Sequence, residues 1–159
     1  MRKKNYIIKA IYKSFDGRNI KLLNEKYIDI IIYETIDNKD INPPLYEYLF
    51  QSRGEHEVIF YLNLGNYYSL TEMFRYISDL ISISFINFDS HNIIDISYMF
   101  SECISLIYAD FSSFNVENIK YANNLFYFCT SLKSINLSNL HAKYLEVASM
   151  MFSVYSFKY

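Results

Sequence analysis

The sequence predicts an α+β fold, in which a short solenoid of 26-residue repeats follows a small β-rich module. Three observations carry that expectation. Apolar residues recur at an offset of 26 throughout the second half, and within each unit their spacing shifts from a helical to a strand-like period. The first half instead reads as short apolar runs separated by turn signals. The division expected is residues 1–64 for the β-rich module and 65–159 for about three and a half repeats, the last one incomplete.

In the first half, Tyr6–Tyr12 alternates imperfectly and is rich in isoleucine, which suits a strand. Asp16-Gly17 marks a turn before Ile20–Leu23. Tyr27–Tyr33 is a further Ile-rich run, closed by the polar stretch Asp37–Asp40, and Pro43-Pro44 breaks the chain again. Tyr46–Phe50 alternates. After Arg53-Gly54, the segment Glu55–Leu62 places Val58, Phe60 and Leu62 on one face, with His56 leading in. Five short strands between turns predict a small sandwich or barrel.

The repeats are read from several positions in phase. Met73-Phe74 returns as Met99-Phe100, Leu125-Phe126 and Met151-Phe152. Leu80 returns as Leu106 and Leu132, Ile83 as Ala109 and Ile135, and Phe85 as Phe111 and Leu137. Phe88 returns as Phe114 and Leu140. Ile96, Met99, Phe100 and Cys103 fall at i, i+3, i+4 and i+7, one face of a short helix. Ala109 and Phe111 then alternate with period two, a short strand. A helix-like piece and a strand within 26 residues fit the length of leucine-rich repeats. Neither piece buries its apolar face by itself, so neighbouring units are expected to stack with their strands in a parallel ladder about 4.8 Å apart.

Such a ladder turns alternate residues outward. The expected binding face is therefore Ser82 and Ser84, then Tyr108, Asp110 and Ser112, then Ser134, Asn136 and Ser138. It is small, polar and nearly uncharged. The tyrosine and phenylalanine richness also suggests carbohydrate stacking, but most Phe fall in inward columns and core packing accounts for them better. Tyr67, Tyr68, Tyr76, Tyr98 and Tyr108 are the candidates for exposure.

Composition narrows the function classes. A net charge of −2 argues against a nucleic-acid partner, since phosphate binding needs clustered Lys and Arg. Arg2-Lys3-Lys4 is not followed by the apolar run and cleavage site of a signal peptide, and no apolar stretch is long enough for a membrane-spanning helix. No export route is visible. No metal site, cofactor or catalytic residue is expected. His56, His91 and His141 share no repeat register and are read as turn or surface residues, and Asp89, Asp95 and Asp110 are scattered. Gly17, Gly54 and Gly65 are isolated turn glycines, not a phosphate loop. Cys103 and Cys129 share one column with Ile77 and Tyr155, which favours a small buried residue over a disulfide. Asn136-Leu137-Ser138 fits the glycosylation acceptor pattern but lies on an expected strand.

Residues 96–106 read ISYMFSECISL and 110–115 read DFSSFN; 124–132 read NLFYFCTSL and 136–140 read NLSNL. These stretches resemble the 26-residue unit of the BspA-like leucine-rich repeat surface-protein family, with its "MF-x-x-C-x-SL" and "DLS-x-F" pieces, over about residues 67–155. Gly54-Glu55-His56-Glu57-Val58 resembles the small β module that often precedes such arrays. The first unit departs, with Ile77 where the pattern has Cys. The resemblance implies a non-enzymatic protein-binding or adhesion module of the surface-protein type, displayed or secreted, whose partner is a protein or host-surface ligand. The alternative is an intracellular leucine-rich-repeat scaffold using the same face. The fourth unit breaks off at Tyr159, leaving Leu132, Ile135, Leu137 and Leu140 without a covering strand. End-to-end self-association through that edge, or a longer gene product, is expected.

Overall fold

A computed structural model of the chain describes residues 6–15, 17–88, 92–114, 118–138 and 143–153. Its strands are β1 (Tyr6–Ser14), β2 (Ile20–Lys21), β3 (Ile31–Ile36), β4 (Lys39–Ile41), β5 (Glu47–Tyr48), β6 (Gly54–Leu62), β7 (Leu80–Ile86), β8 (Tyr108–Asp110) and β9 (Ser134–Asn136). One 3-10 helix, Glu25–Ile30, is the single helical element among the described residues. Seven strands form one mixed sheet in the order β4-β3-β6-β1-β7-β8-β9, and β2 pairs with β5 separately.

Alternation builds the inner face of this sheet. Ile8, Ala10 and Tyr12 of β1 are buried, as are Val58, Phe60 and Leu62 of β6 opposite them. β1 has two edges, and β7 takes the second, antiparallel, with Ile83 beside Ala10 and Phe85 beside Ile8. β8 and β9 then add in parallel, each residue paired with the one 26 positions on, such as Ile83 with Ala109 and Ala109 with Ile135. The 26-residue offset is thus a strand register.

This corrects the predicted fold. The chain is nearly all β, and an α+β leucine-rich-repeat solenoid behind a separate sandwich or barrel does not describe it. The N-terminal strands and the repeat strands share one sheet, because both sets of inward residues cover one core. Tyr27–Ile30 belongs to the 3-10 helix instead of a strand, and the strand begins at Ile31. Asp37 and Asn38, both at positive φ, form the two-residue turn between β3 and β4.

Among the described residues the expected helices are absent for a physical reason. Residues at 72, 98, 124 and 150, and at 76, 102 and 128, have φ between 52° and 65°, which no α-helix accommodates. The amides of Glu72, Phe74 and Tyr76 donate to Ser97, Met99 and Ser101 of the next unit, at 2.9–3.2 Å. Between them, Met73, Arg75 and Ile77 donate three residues back. The result is a run of tight turns that places Leu70, Met73, Phe74 and Ile77 inward with helical spacing but without a helix. Isolated parallel bridges link Ser69, Asp95, Tyr121 and Val147 in the same 26-residue register.

These turns carry a column of phenylalanines. Phe74, Phe100, Phe126 and Phe152 stack nearly parallel, with centroids 5.5, 5.4 and 5.7 Å apart. Cys103 and Cys129 are free thiols, each donating to the carbonyl of Phe74 or Phe100 respectively, at 2.9 and 3.0 Å. Leu132, Ile135 and Leu137 are partly buried against the core; Leu140 and Tyr155–Tyr159 lie outside the described residues, as do Arg2-Lys3-Lys4, Asp16, Asp89, His91 and His141.

Candidate functional site

Register places six of the eight expected face residues in two rows. Ser82, Tyr108 and Ser134 are paired neighbours across β7, β8 and β9, and Ser84, Asp110 and Asn136 form the next row. Ser112 and Ser138 lie beyond the strand ends, where their amides donate to the Asp110 and Asn136 side chains at 2.9 and 3.2 Å. Burial pushes the Asp110 carboxyl up, but hydrogen bonds from Ser112, Tyr108 and Asn136 outweigh it and hold the group below its usual range. Asp110 is therefore a carboxylate already satisfied by its own face.

The rows do not stop at the repeats. Ser84 pairs with Lys9, Lys9 with Ile59 and Ile59 with Thr35; Ser82 pairs with Ile11, and Ile11 with Glu57. A further row runs Ile86, Ile7, Tyr61 and Tyr33 across four strands. Tyr33 and Ile86 are each 38% exposed, and the two tyrosine rings meet at 5.1 Å. Lys9 and Glu57 form an ion pair of 2.5 Å across the face. The outer face is thus half apolar, which the expected set, polar but for Tyr108, missed. A signal was present: β1 is apolar on both sides, with Ile7 and Ile11 opposite to Ile8 and Ala10, as in a strand covered on two faces.

A second cluster joins residues far apart in sequence. His56 is buried in β6, its ring stacked at 4.2 Å on Phe50. Its Nδ1 lies 2.6 Å from Asp37 Oδ2, and its Nε2 lies 3.0 Å from Ser14 Oγ. Reading His56 as a turn or surface residue, without convergent partners, is thereby corrected: paired strands deliver Ser14 beside it, and the β3–β4 turn delivers Asp37. Composition and order are those of a serine–histidine–aspartate triad, but the surroundings differ. Ser14 is 3% exposed and its hydroxyl is 2.5 Å from the Ser52 carbonyl oxygen, which is also 2.9 Å from Nε2. A carbonyl accepts and never donates, so the Ser14 hydroxyl, nearer to Ser52 than to Nε2, directs its one proton to that carbonyl. The serine proton is thus turned away from Nε2, the atom that would have to receive it in a catalytic triad.

Fold and surface together define a mixed-sheet protein whose sheet is extended by 26-residue units and whose outer face is partly apolar. Residues 46–158, from β5 through the repeats, match the family described as a Mycoplasma protein of unknown function, DUF285, and the chain belongs to that family. Neither the curated proteins nor the solved structures hold a match. The family match overturns the resemblance to BspA-like leucine-rich repeats. The "MF-x-x-C" stretches here fill tight turns beneath a mixed sheet, so the leucine-rich-repeat and solenoid descriptions do not hold, and the surface-protein reading loses the resemblance that implied it. No helix among the described residues is long and apolar enough to cross a membrane.

Proposed function

We propose that the chain is a non-enzymatic interaction module that binds a protein partner through the outer face of its seven-stranded sheet. The observation that carries this reading is the row Tyr33, Tyr61, Ile7 and Ile86, half-exposed apolar side chains aligned over four strands. An apolar centre with a polar rim is the anatomy of a protein interface, and tyrosine is among the residues that dominate its energetics. The rim is supplied by Lys9 and Glu57 and by the Ser84, Asp110 and Asn136 row. The non-enzymatic part is supported by the Ser14 hydroxyl, which is buried and donates to the Ser52 carbonyl and not to His56.

Site-specific photo-crosslinking in cells that make the chain tests this. A benzoylphenylalanine at Ile59 is expected to trap a defined partner, and Tyr61→Ala is expected to abolish the adduct. The same probe at Lys21, exposed on β2 outside the seven-stranded sheet, serves as control. Equal yields at both positions, or none at Ile59, would sink the reading.

We also infer self-association at the β9 end, on a separate observation. Phe152 is exposed there, beside a hollow of about 300 Å³ lined by Phe126, Leu132 and Ile135. Light scattering after size exclusion is expected to show concentration-dependent mass, reduced by Phe152→Lys. A constant monomer mass would refute it.

A further inference from the structure

A further concavity lies away from both features, between the 3-10 helix Glu25–Ile30 and the chain leaving β6. Its volume is about 740 Å³, within the range of ligand sites in general. The floor is apolar: Ile30, Leu64 and the ring of Tyr27 are all buried. The rim is aromatic, with Tyr67 38% and Tyr68 67% exposed. Their exposure is the unusual part, because rings that large gain most from burial.

The polar groups around the hollow say what kind of ligand fits. Asp29, Asn63 and Asn66 line it with exposed side chains. Asn63 Oδ1 accepts from the Gly65 amide at 3.2 Å, which leaves the Asn63 side-chain nitrogen as a donor. Gly65 has φ +50°, a left-handed turn that brings Asn66 and Tyr67 round to the rim. Charge is nearly balanced. Lys26 is the sole cation of the lining, and its Nζ lies 3.4 Å from Glu72 and 5.1 Å from the Tyr27 ring centroid. Asp29 is the sole acid of the lining.

A polyanion needs several cations, and Lys26 is already engaged. A metal needs converging ligands, and among the described residues no three His, Cys, Asp or Glu gather. A purely apolar molecule would strip water from Asp29 and two asparagines without replacing their hydrogen bonds. What remains is a neutral ligand with an apolar face for the tyrosines and many hydroxyls for the amides and carboxylate. We propose that this hollow is a binding site for a neutral oligosaccharide, laid on Tyr67 and Tyr68 and hydrogen-bonded by Asp29, Asn63 and Asn66.

The chain contains no tryptophan, so its ultraviolet fluorescence reports tyrosine directly. Titration of the purified chain with cellotetraose, maltotetraose, mannotetraose and chitotetraose is expected to give saturable quenching with at least one of them. Tyr68→Ala is expected to weaken it by about tenfold or more, equivalent to about 1.4 kcal/mol. Ile59→Glu, on the sheet face, leaves it unchanged, so the result is independent of the interaction-face reading. The proposal is overturned if no sugar saturates below about 10 mM, if Tyr68→Ala binds as well as the parent, or if inositol hexaphosphate or decaproline binds tighter than every sugar. Circular dichroism of Tyr68→Ala, whose ring is exposed, separates lost binding from lost folding. Should that variant unfold, Asn66→Ala takes its place, with the same loss expected.

Discussion

His56 in β6 and Asp37 in the β3–β4 turn meet at 2.6 Å, through Nδ1 and Oδ2, and so tie the start of one strand to the hairpin beside it. The other Asp37 oxygen accepts from the Glu57 amide at 2.9 Å, and Nε2 faces Ser52 in the loop before β6. His56 thus joins the turn, the loop and, through Ser14, the end of β1. These contacts make the cluster a structural pin. His56→Gln is expected to lower unfolding free energy by about 1–3 kcal/mol, the cost of leaving buried polar partners unmet. Urea denaturation measures it. In the same preparation a fluorophosphonate probe is expected to leave Ser14 unlabelled; stoichiometric labelling would show an active nucleophile and defeat the non-enzymatic reading.

Cys103 and Cys129 are buried and hydrogen-bonded, and both thiols are disfavoured as thiolates. Burial pushes the Cys129 thiol up to about 12; burial, with the neighbouring Cys129, raises Cys103 as well. Because the thiolate is the reactive form, Ellman's reagent at pH 8 is expected to react with the folded chain at least about a hundredfold more slowly than with the urea-unfolded chain. Comparable rates would mean the column opens freely.

Glu34 gives a pH dependence with a defined sign. It is fully buried on β3; its Oε2 accepts from the Leu45 amide at 2.7 Å, and its Oε1 has no hydrogen-bond partner among the described residues. Burial pushes the carboxyl from 4.5 up to about 7, against the Leu45 hydrogen bond that lowers it. The folded state therefore holds this proton more tightly than the unfolded chain. Its contribution is full below about 4.5 and is lost as pH rises to about 7, amounting to no more than about 3 kcal/mol. Glu34→Gln cannot ionise and is expected to flatten this part of the profile and to be the more stable chain at pH 8. Unfolding curves at pH 4.5, 6 and 8 check it, and an unchanged slope would refute the assignment.

The repeat positions were legible because they are local: Met99, Phe100 and Cys103 recur in phase, and their inward placement follows whatever backbone carries them. The backbone was not legible. Helical spacing in Ile96, Met99, Phe100 and Cys103 is also produced by successive tight turns with left-handed residues at Tyr98 and Glu102, which are not glycines. Nothing in the residue types announces that conformation. The outer face was half legible. Ser82, Tyr108 and Ser134 follow from period two, whereas Ile7, Ile59 and Tyr61 join them only because β1 accepts β7 on its free edge. The His56 cluster depends on pairings 19 and 42 residues apart and has no local sign at all.

The phenylalanine column supplies a graded test of how the units support one another. Phe100 is fully buried between Phe74 and Phe126, with centroids 5.5 and 5.4 Å away and planes within 8°, and it meets Phe111 edge-on at 6.0 Å. Phe152, at the other end of the same column, touches Phe126 at 5.7 Å and is 53% exposed. Truncating the inner ring removes contacts on all sides and leaves a cavity, whereas truncating the outer one removes a single stacking partner. Phe100→Ala is expected to cost about 3–5 kcal/mol, and Phe152→Ala about 0.5–1.5 kcal/mol. Since β7, β8 and β9 belong to the same sheet as β1 and β6, the loss at Phe100 is expected to lower one common transition, seen equally by tyrosine fluorescence and far-ultraviolet circular dichroism. Two separate transitions in the Phe100→Ala chain would show that the repeat units melt independently of the N-terminal strands, contrary to the shared core.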